Sequence, residues 1–467
     1  MRATELTGLT LVAAAELLRR RDLSPVELLD AVLDRIAAVD PRLNSFTTLA
    51  PREEAREAAR AAEREIAHGR WRGPLHGVPV SVKDLFDTAG LRTTYGSGMF
   101  RDHVPARDAT VVARLRAAGA IVTGKTATHE LGMGISTNNY FYGPTRNPWN
   151  LEHVPGGSSG GSAAACAARL GALHIGSDGG GSIRFPAGWC GVVGHKPSLG
   201  LLSNVGQMGA GNVSFSTPGP LATTVRDAAV ALQALAGFDA EYVYSRPEPV
   251  PDLLATLDAG VRGLRIGVPT DLLEPAPEPA VAAAFEATLA RLERLGAERR
   301  PVAFPNRDLT LPGLMFAFGV EGETMLARRL GDRPRVFSPD VARMKAVPIA
   351  PTVDMCLDAA RDRQLLRRDW AAAFAAVDVV VMPTAPITAP RIDTDESTYT
   401  FGCSRYTGFA NLAGLPAAVI PAGFDAGLPI GMQILAAVGN DAVALRVAQA
   451  LESAAAEHRV GTPPLGA

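Results

Sequence analysis

Apolar and polar residues recur along the chain with two periods, one typical of helices and one typical of strands. The segment 24–27 (SPVE) has the residues of a capping box, and Leu28 and Val32 then begin an apolar helical face. The segment 78–83 (VPVSVK) alternates and is β-branched, which predicts a strand. We predict further strands at 120–123, 172–177, 264–268, 377–382, 419–421 and 432–435, and further helices at 53–68, 110–119, 162–170, 279–295 and 441–455.

Short strands interleaved with helices indicate an α/β fold whose sheet is largely covered. We expect a single large domain over residues 1–467, because no internal repeat or low-complexity block divides it. Within it we distinguish a helical N-terminal region (about 1–70), a chemical core (about 71–236) and a more variable half (about 253–467) that also contributes to a pocket. The polar, proline-rich stretch 237–252 predicts a surface connection between the last two.

Composition removes several classes of function. The formal net charge is -2, so the sequence does not favour a nucleic-acid or anionic-membrane partner. The 4 cysteines are dispersed without a C-x-x-C pair, so we expect no metal and no cofactor. The N-terminus is not a signal peptide, and no run of about 18 apolar residues predicts a membrane span. These features favour a cytoplasmic protein.

Residues 119–126 (GAIVTGKT) match the phosphate-loop pattern G-x-x-x-x-G-K-T. That loop requires a strand before its first glycine and a helix after its lysine, so that backbone amides meet the phosphates. Here a helix is predicted before Gly119 and a strand falls inside the supposed loop. We therefore do not expect ATP binding at this motif.

Residues 156–160 (GGSSG) match G-x-S-x-G, the nucleophile elbow of Ser-His-Asp hydrolases. The elbow requires a preceding strand, whereas residues 144–155 contain three prolines. The later histidines His174, His195 and His458 have no distinctive setting. A Ser-His-Asp triad is therefore disfavoured.

Two Ser/Gly runs, 155–162 and 176–186, follow a lysine at the end of an apolar strand. One such loop is usually a turn or a helix cap. Two of them together with Lys83 are harder to explain structurally. The basic residues are almost all arginine, with lysine at only four positions, one of which is 83.

These segments resemble the amidase signature family over about residues 10–455. The resemblance is carried by Lys83-Asp84, GGSSGGSAAA at 156–165, GSDGGGSIRFPA at 176–187 and the flanking segments 142–149, 190–197 and 411–416. It implies a mixed, twisted β-sheet covered by helices on both faces. It also implies that Ser182 is the nucleophile, Ser158 a bridging serine after a cis peptide bond, and Lys83 the base.

A serine hydroxyl needs a neighbour that accepts its proton, and a lysine can do so only when it is neutral. Arginine stays protonated and cannot replace it. The family resemblance assigns the oxyanion hole to the backbone amides of Gly179, Gly180, Gly181 and Ser182. Four further residues are expected to support the site: Gly157, Ser159, Asp178 and Arg184.

The family implies an amide substrate without specifying it. We expect a stand-alone amidohydrolase that could also cleave aryl esters or carbamates (urethanes). The main alternative is the glutaminase-type A subunit of a glutamyl-tRNA amidotransferase, and a remote one is a catalytically silent scaffold. The A subunit carries an Asp where we align Ser404, and its sequence differs from residues 206–220 here. Arg363 could nevertheless receive a substrate carboxylate.

A mostly apolar set of side chains could line the acyl pocket, although packing in the core would explain each of them equally well. The set consists of Met133, Tyr140, Phe141, Phe316, Phe318, Arg363 and Tyr406. As partners we expect a small-molecule amide, ester or carbamate and no nucleic acid. A homodimer is compatible with the sequence.

Overall fold

Helices and strands are interleaved along the whole chain, and the computed structural model describes residues 3–208, 214–331, 334–345 and 351–465. The strands are β1 (Phe46–Leu49), β2 (Pro79–Lys83), β3 (Ile121–Thr126), β4 (Asn138–Asn139), β5 (Gly143–Pro144), β6 (Leu173–Asp178), β7 (Val193–Lys196), β8 (Thr217–Ala222), β9 (Arg265–Pro269), β10 (Glu298–Val302), β11 (Val379–Pro383), β12 (Ala417–Asp425) and β13 (Leu428–Ala436). The helices are α1 (Ala3–Thr7), α2 (Leu11–Arg20), α3 (Pro25–Leu43), α4 (Arg52–Ala67), α5 (Thr110–Ala117), α6 (Gly160–Ala167), α7 (Arg184–Cys190), α8 (Val225–Leu235), α9 (Pro279–Arg294), α10 (Thr310–Leu330), α11 (Pro339–Lys345), α12 (Val353–Ala376), α13 (Thr400–Ser404), α14 (Gly408–Ala413) and α15 (Asp441–Ala454).

The N-terminal region is helical except at one place. The capping box at the start of α3 is confirmed, since the Ser24 hydroxyl accepts the Val26 N–H and the Glu27 carboxylate accepts the Ser24 N–H. Residues 46–49 (FTTL), however, form strand β1 and pair antiparallel with β3. Aromatic and β-branched residues favour an extended backbone, and the edge of the sheet offers them a partner.

In the described residues one mixed sheet contains 11 strands, in the order β1-β3-β2-β6-β8-β7-β12-β13-β11-β9-β10. Strand β2 lies between β3 and β6 and is parallel to both. The carboxyl ends of parallel strands meet at the same edge of a sheet. Lys83 ends β2 and Asp178 ends β6, so the fold brings them to one edge.

Helices cover both faces of this sheet, as side chains on β12 show. Ala418 and Ile420 pack into the apolar cluster that also contains residues of α8 and α15. Val419, between them, faces the opposite way and packs with Ala163 of α6 and Ala187 of α7. Adjacent strand residues point to opposite faces, so both faces are buried. The predicted α/β fold with a mixed, covered sheet is confirmed.

Residues 236–264 contain no helix or strand among the described residues and connect α8 to β9; residues 237–252 are mostly exposed or half-buried, whereas Leu253 and Leu257 are fully buried. The predicted surface connection at 237–252 lies within this segment. No helix in the described part of the chain is both long enough and apolar enough to cross a membrane.

Candidate active site

Lys83 lies fully buried at the carboxyl end of β2, surrounded by three serine hydroxyls. Its amine nitrogen is 2.6 Å from the Oγ of Ser158, 2.9 Å from that of Ser159 and 3.1 Å from that of Ser177. Burial lowers the pKa of Lys83 well below its ordinary value, against the opposing charge of Asp178. Lys83 is therefore held in a setting that favours the neutral amine.

Ser158 lies two residues before α6, next to its N-cap residue Ser159, and the Gly157–Ser158 peptide bond is cis. A Cβ atom at Gly157 would lie only 2.7 Å from the backbone of Ile135 and Ser136, so this position requires glycine. The neighbouring Ser159 hydroxyl donates to the Ser177 carbonyl at 3.0 Å. The first Ser/Gly run is thus packed between another loop and the end of β6.

The second Ser/Gly run brings Ser182 to the same place. Its carbonyl accepts the Ser159 N–H at 3.2 Å, and 9% of the residue is exposed. The two serines in the predicted proton relay, Ser182 and Ser158, thus lie on loops joined by a backbone hydrogen bond. The side-chain step between them remains a prediction.

The backbone amides expected to form the oxyanion hole are not all available. The Gly181 N–H donates to Asp178 Oδ1 at 2.8 Å, so it is already paired within the loop. Gly181 therefore differs from expectation, because the Asp178 carboxylate folds back over the turn. The amides of Gly179, Gly180 and Ser182 remain the predicted donors.

A buried ion pair holds this turn. The Arg184 Nε donates to Asp178 Oδ2 at 2.9 Å and its Nη2 donates to Oδ1 at 3.0 Å, with both side chains fully buried. The same carboxylate also accepts the Ile183 N–H at 3.2 Å. Because both side chains are out of water, this is a structural ion pair and not an exposed surface pair.

Three residues from the second half of the chain complete this network, and none of them is assigned a role by the sequence. Arg184 donates to the carbonyl of Thr407, to Gln433 Oε1 and to Asn411 Oδ1, the last at 2.6 Å. The Asn411 amide in turn donates to the Asp178 carbonyl at 2.9 Å. Burial raises the pKa of Asp178, but the charge and hydrogen bonds of Arg184 outweigh it and hold that pKa well below its usual range. Asn411 lies in the quoted segment 411–416, whereas no local sequence signal marks Gln433.

The residues predicted to line the pocket are dispersed. Phe318, on α10, lies 3.4 Å from the position that a Cβ of Gly180 would occupy, and it contacts the ring of Phe215. Met133 follows Gly132, whose Cβ position is 3.5 Å from the Ser158 hydroxyl. The position of Phe318 is consistent with a pocket beside the serines, whereas Met133 packs against the apolar cluster that contains Leu85 and Tyr95.

The aromatic pocket predictions at 406 and 140 are not supported by their surroundings. Tyr406 is completely buried, packs in the cluster that contains Trp370, and donates its hydroxyl to the Pro275 carbonyl. It belongs to the core because its ring fills the space between α12 and α14. Tyr140 is 67% exposed, and its ring contacts Phe141.

Three further residues were predicted to line the pocket: Phe141, Phe316 and Arg363. Their surroundings differ. Phe141 packs against Gly98, and Phe316 is half-buried on α10. Arg363 donates to the carbonyls of Leu412 and Ser214. Ser404 is buried at the end of α13. Within the divergent stretch 206–220, residues 209–213 lie outside the described part of the chain.

The phosphate-loop motif is not a phosphate cradle. Strand β3 runs through its centre, and the Ile121 N–H donates to the Val78 carbonyl. The buried Lys125 amine donates to the hydroxyls of Thr88 and Thr93. Its donors are therefore used inside the fold. In the described residues no cluster of three or more His, Cys, Asp or Glu could hold a metal ion.

Comparisons with known proteins agree on one family. The family model described as Amidase matches residues 27–445. The A subunit of glutamyl-tRNA(Gln) amidotransferase from Roseiflexus sp. (strain RS-1) is 40% identical, over 96% of this chain and 97% of that protein. A bacterial aryl acylamidase of the amidase signature family has a TM-score of 0.88 at 28% identity, with 96% of each chain covered. The corresponding amidotransferase chain from Thermotoga maritima has a TM-score of 0.79 at 31% identity, over 100% of this chain and 97% of that one.

The expectation of a small-molecule partner alone, with no nucleic acid, is wrong. The Roseiflexus relative, which matches along nearly its whole length, is named as one subunit of an enzyme, and that enzyme is named for a tRNA. The net charge misled here because it averages over the whole chain and says nothing of a local interface. The match over residues 27–445 and the 40% identity across nearly the whole chain show that this protein belongs to the amidase signature family of amide-hydrolysing enzymes.

Proposed function

We propose that this chain cleaves a carboxamide through an acyl-enzyme on Ser182, with Ser158 as the proton bridge and Lys83 as the neutral base. The observation that carries the proposal is the 2.6 Å contact between the Lys83 amine nitrogen and the Ser158 hydroxyl oxygen, in a fully buried setting. A buried lysine whose pKa is lowered can accept a proton near neutral pH.

The proton path then follows from these contacts. Lys83 takes the proton of Ser158, and Ser158 takes the proton of Ser182 as the Ser182 oxygen attacks the amide carbon. The carbonyl oxygen becomes negative and is stabilised by the backbone amides of Gly179, Gly180 and Ser182. Ser158 returns a proton to the leaving nitrogen, which departs as an amine or as ammonia. Water then attacks the ester on Ser182 by the same path and releases the acid.

For the substrate, the relatives favour the amidotransferase role over the stand-alone amidase. The name of the Roseiflexus relative describes one chain of a larger enzyme that acts on a tRNA-linked group. In that role Ser182 would release ammonia from glutamine for transfer. Arg363, which the carbonyls of Leu412 and Ser214 hold in place, is the candidate to receive the glutamine carboxylate.

A second candidate, the stand-alone amidase, is favoured by one group of contacts. Phe318 and Leu314 lie 3.4 and 3.5 Å from the Cβ position of Gly180, so apolar carbon borders the proposed acyl site. Ser404 also lacks the carboxylate that would bind the glutamine amino group. These features suit an apolar acyl group, and the same chemistry would extend to aryl esters and carbamates, which have better leaving groups.

A comparison of two substrate types tests the proposal and separates its two forms. Ammonia release from glutamine and nitroaniline release from benzoyl nitroanilide are measured for the wild type and for Ser182→Ala. We expect glutamine turnover that disappears in Ser182→Ala. Anilide turnover without glutamine turnover would favour the stand-alone amidase over the amidotransferase role. Turnover that persists in Ser182→Ala would overturn the mechanism.

A further inference from the structure

The loop formed by residues 129–137, here called the serine-contacting loop, packs directly against Gly157 and Ser158. The backbone N–H of His129 donates to the Ser158 carbonyl at 3.3 Å. At the other end of the loop, the backbone of Thr137 lies 2.9 Å from the Cβ position of Gly157. Any shift of this loop would therefore move the serine that contacts Lys83.

The His129 side chain is the buried anchor of the serine-contacting loop. Its Nε2 lies 2.7 Å from Asp340 Oδ2, and its Nδ1 lies 3.4 Å from the Ser136 hydroxyl and 3.8 Å from Glu396 Oε2. The ring also packs on Gly134, where a Cβ atom would lie 2.3 Å from the imidazole. The imidazole is thus fixed on one side by its own loop and on the other sides by two carboxylates.

These carboxylates come from separate elements late in the chain. Asp340 lies in α11, and Glu396 begins the short 3₁₀ turn Glu396–Thr398. Glu396 also accepts the backbone N–H of Ile135 and the hydroxyl of Ser136. The loop therefore carries one imidazole and several hydrogen bonds that fasten it to two distant segments.

We propose that His129 is a positioning residue for Ser158: as an imidazolium between Asp340 and Glu396, it holds the serine-contacting loop in the arrangement that places Ser158 against Lys83. The inference rests on the proposed role of Ser158 as the proton bridge. It assigns to His129 a function in holding geometry, with no contact to substrate.

Charge around the imidazole supports this role. Three carboxylates face it: Asp340 from α11, Glu396 from the 3₁₀ turn and Glu130 from the same loop. Burial lowers the pKa of His129, but these charges outweigh burial and raise that pKa above its ordinary value of 6.5. The contacts of the charged imidazole with these carboxylates should therefore be present below this raised pKa and lost as the pH rises through it. Lys83 must be neutral, so reactivity should also fall at acid pH.

The test is the rate at which a fluorophosphonate probe labels Ser182, followed from acid to alkaline pH. This readout needs no knowledge of the substrate. The variants are His129→Gln and, as a matched control, His68→Gln, whose exposed ring has a hydrogen bond with the Arg64 carbonyl of the preceding helix. We expect the wild type and His68→Gln to show a bell-shaped profile. His129→Gln should label about tenfold more slowly or worse at neutral pH and lack the alkaline decline.

A His129→Gln variant that labels at the wild-type rate with the same alkaline decline would overturn the inference alone. Failure of the wild type to label would overturn the proposed function and the inference with it. Asp340→Asn provides a second measurement if His129→Gln does not fold. It keeps the histidine but removes one carboxylate, so the alkaline decline should move to lower pH. If the alkaline decline of Asp340→Asn stays at the wild-type pH, the proposed positioning role of His129 is contradicted.

Discussion

The amine nitrogen of Lys83 lies 2.6 Å from the hydroxyl oxygen of Ser158, at the carboxyl edge of a parallel strand pair and fully out of water. A charged lysine is unfavourable there, because three neutral hydroxyls replace its hydration and its carboxylate neighbour Asp178 is already paired with Arg184. Two features of this site are open to direct test: the neutral state of Lys83, and the network that holds the two serine loops.

Replacing Lys83 should remove the base. Lys83→Met keeps an unbranched side chain that fits a buried site but cannot accept a proton, so kcat should fall by about 100- to 10,000-fold. Lys83→Arg should be nearly as inactive, because a guanidinium stays protonated. Steady-state kinetics with thermal unfolding as the control test this; an active Lys83→Arg variant would contradict the neutral-base account.

The pH profile of the wild type should report the same lysine. Burial lowers the pKa of Lys83, so the neutral form, and with it kcat/KM, is present above that lowered pKa and is lost as the pH falls through it. An unfolded lysine takes up its proton at much higher pH, so the free energy of unfolding should decline as the pH falls from the ordinary lysine pKa to the lowered one, above the range in which kcat/KM is lost. Both trends are measurable in one buffer series, and a flat acid limb in kcat/KM would argue against Lys83 as the base.

Breaking the buried ion pair should cost stability as well as rate. Asp178→Asn leaves the Arg184 charge buried without its counter-ion, and the free energy of unfolding should drop by about 3–5 kcal/mol. The matched control is Asp258→Asn, which breaks an exposed pair with Arg226 and should cost about 1 kcal/mol or less. Denaturant unfolding of both variants checks the difference, and equal costs would contradict the network.

Gly157 should not tolerate a side chain. In Gly157→Ala the new methyl group would meet the backbone of Ile135 and Ser136 at 2.7 Å, displacing Ser158 and lowering kcat by about 100-fold. Gly313→Ala is the control: its methyl group would meet only Leu412, at 3.3 Å, and alanine favours the helix there. Normal kinetics for Gly157→Ala would show that the two loops are not tightly packed.

Substitutions at Phe318 and Tyr406 should distinguish a residue that lines the acyl pocket from one that packs in the core. Phe318→Ala should change the relative kcat/KM for small and large acyl groups, because the ring lies beside Gly180. Tyr406→Phe should leave that preference unchanged and cost about 1 kcal/mol of stability, since only the hydrogen bond to the Pro275 carbonyl is lost. A changed acyl preference in Tyr406→Phe would indicate that Tyr406 lines the pocket.

The residues of the candidate site could be predicted from the sequence because they lie in short local segments. Glycine and serine cluster within the two runs that contain Ser158 and Ser182, and the alternating segment before Lys83 marks a strand. The parallel order of β2 and β6 then brings the end of that strand to the second run. These features depend on short spacings, which a single sequence displays directly.

The supporting residues were hidden because their contacts span hundreds of positions. Asn411 and Gln433 accept hydrogen bonds from Arg184, which lies more than 200 positions earlier in the sequence. Their own segments contain no pattern that predicts an arginine partner. Helix α12 was also missed, since only Leu366, Trp370 and Ala373 are buried along its 24 residues and no apolar face is continuous. Tyr406 was assigned to the pocket because sequence does not distinguish a core aromatic from a lining one.

The roles of Ser182 as nucleophile and Lys83 as base are tested together by mapping the site of fluorophosphonate modification with peptide mass spectrometry. We expect one adduct, on Ser182, in the wild type, and its absence in both Ser182→Ala and Lys83→Met. An adduct on Ser158 or on another serine, or undiminished modification of Ser182 in Lys83→Met, would contradict the assignment of nucleophile and base.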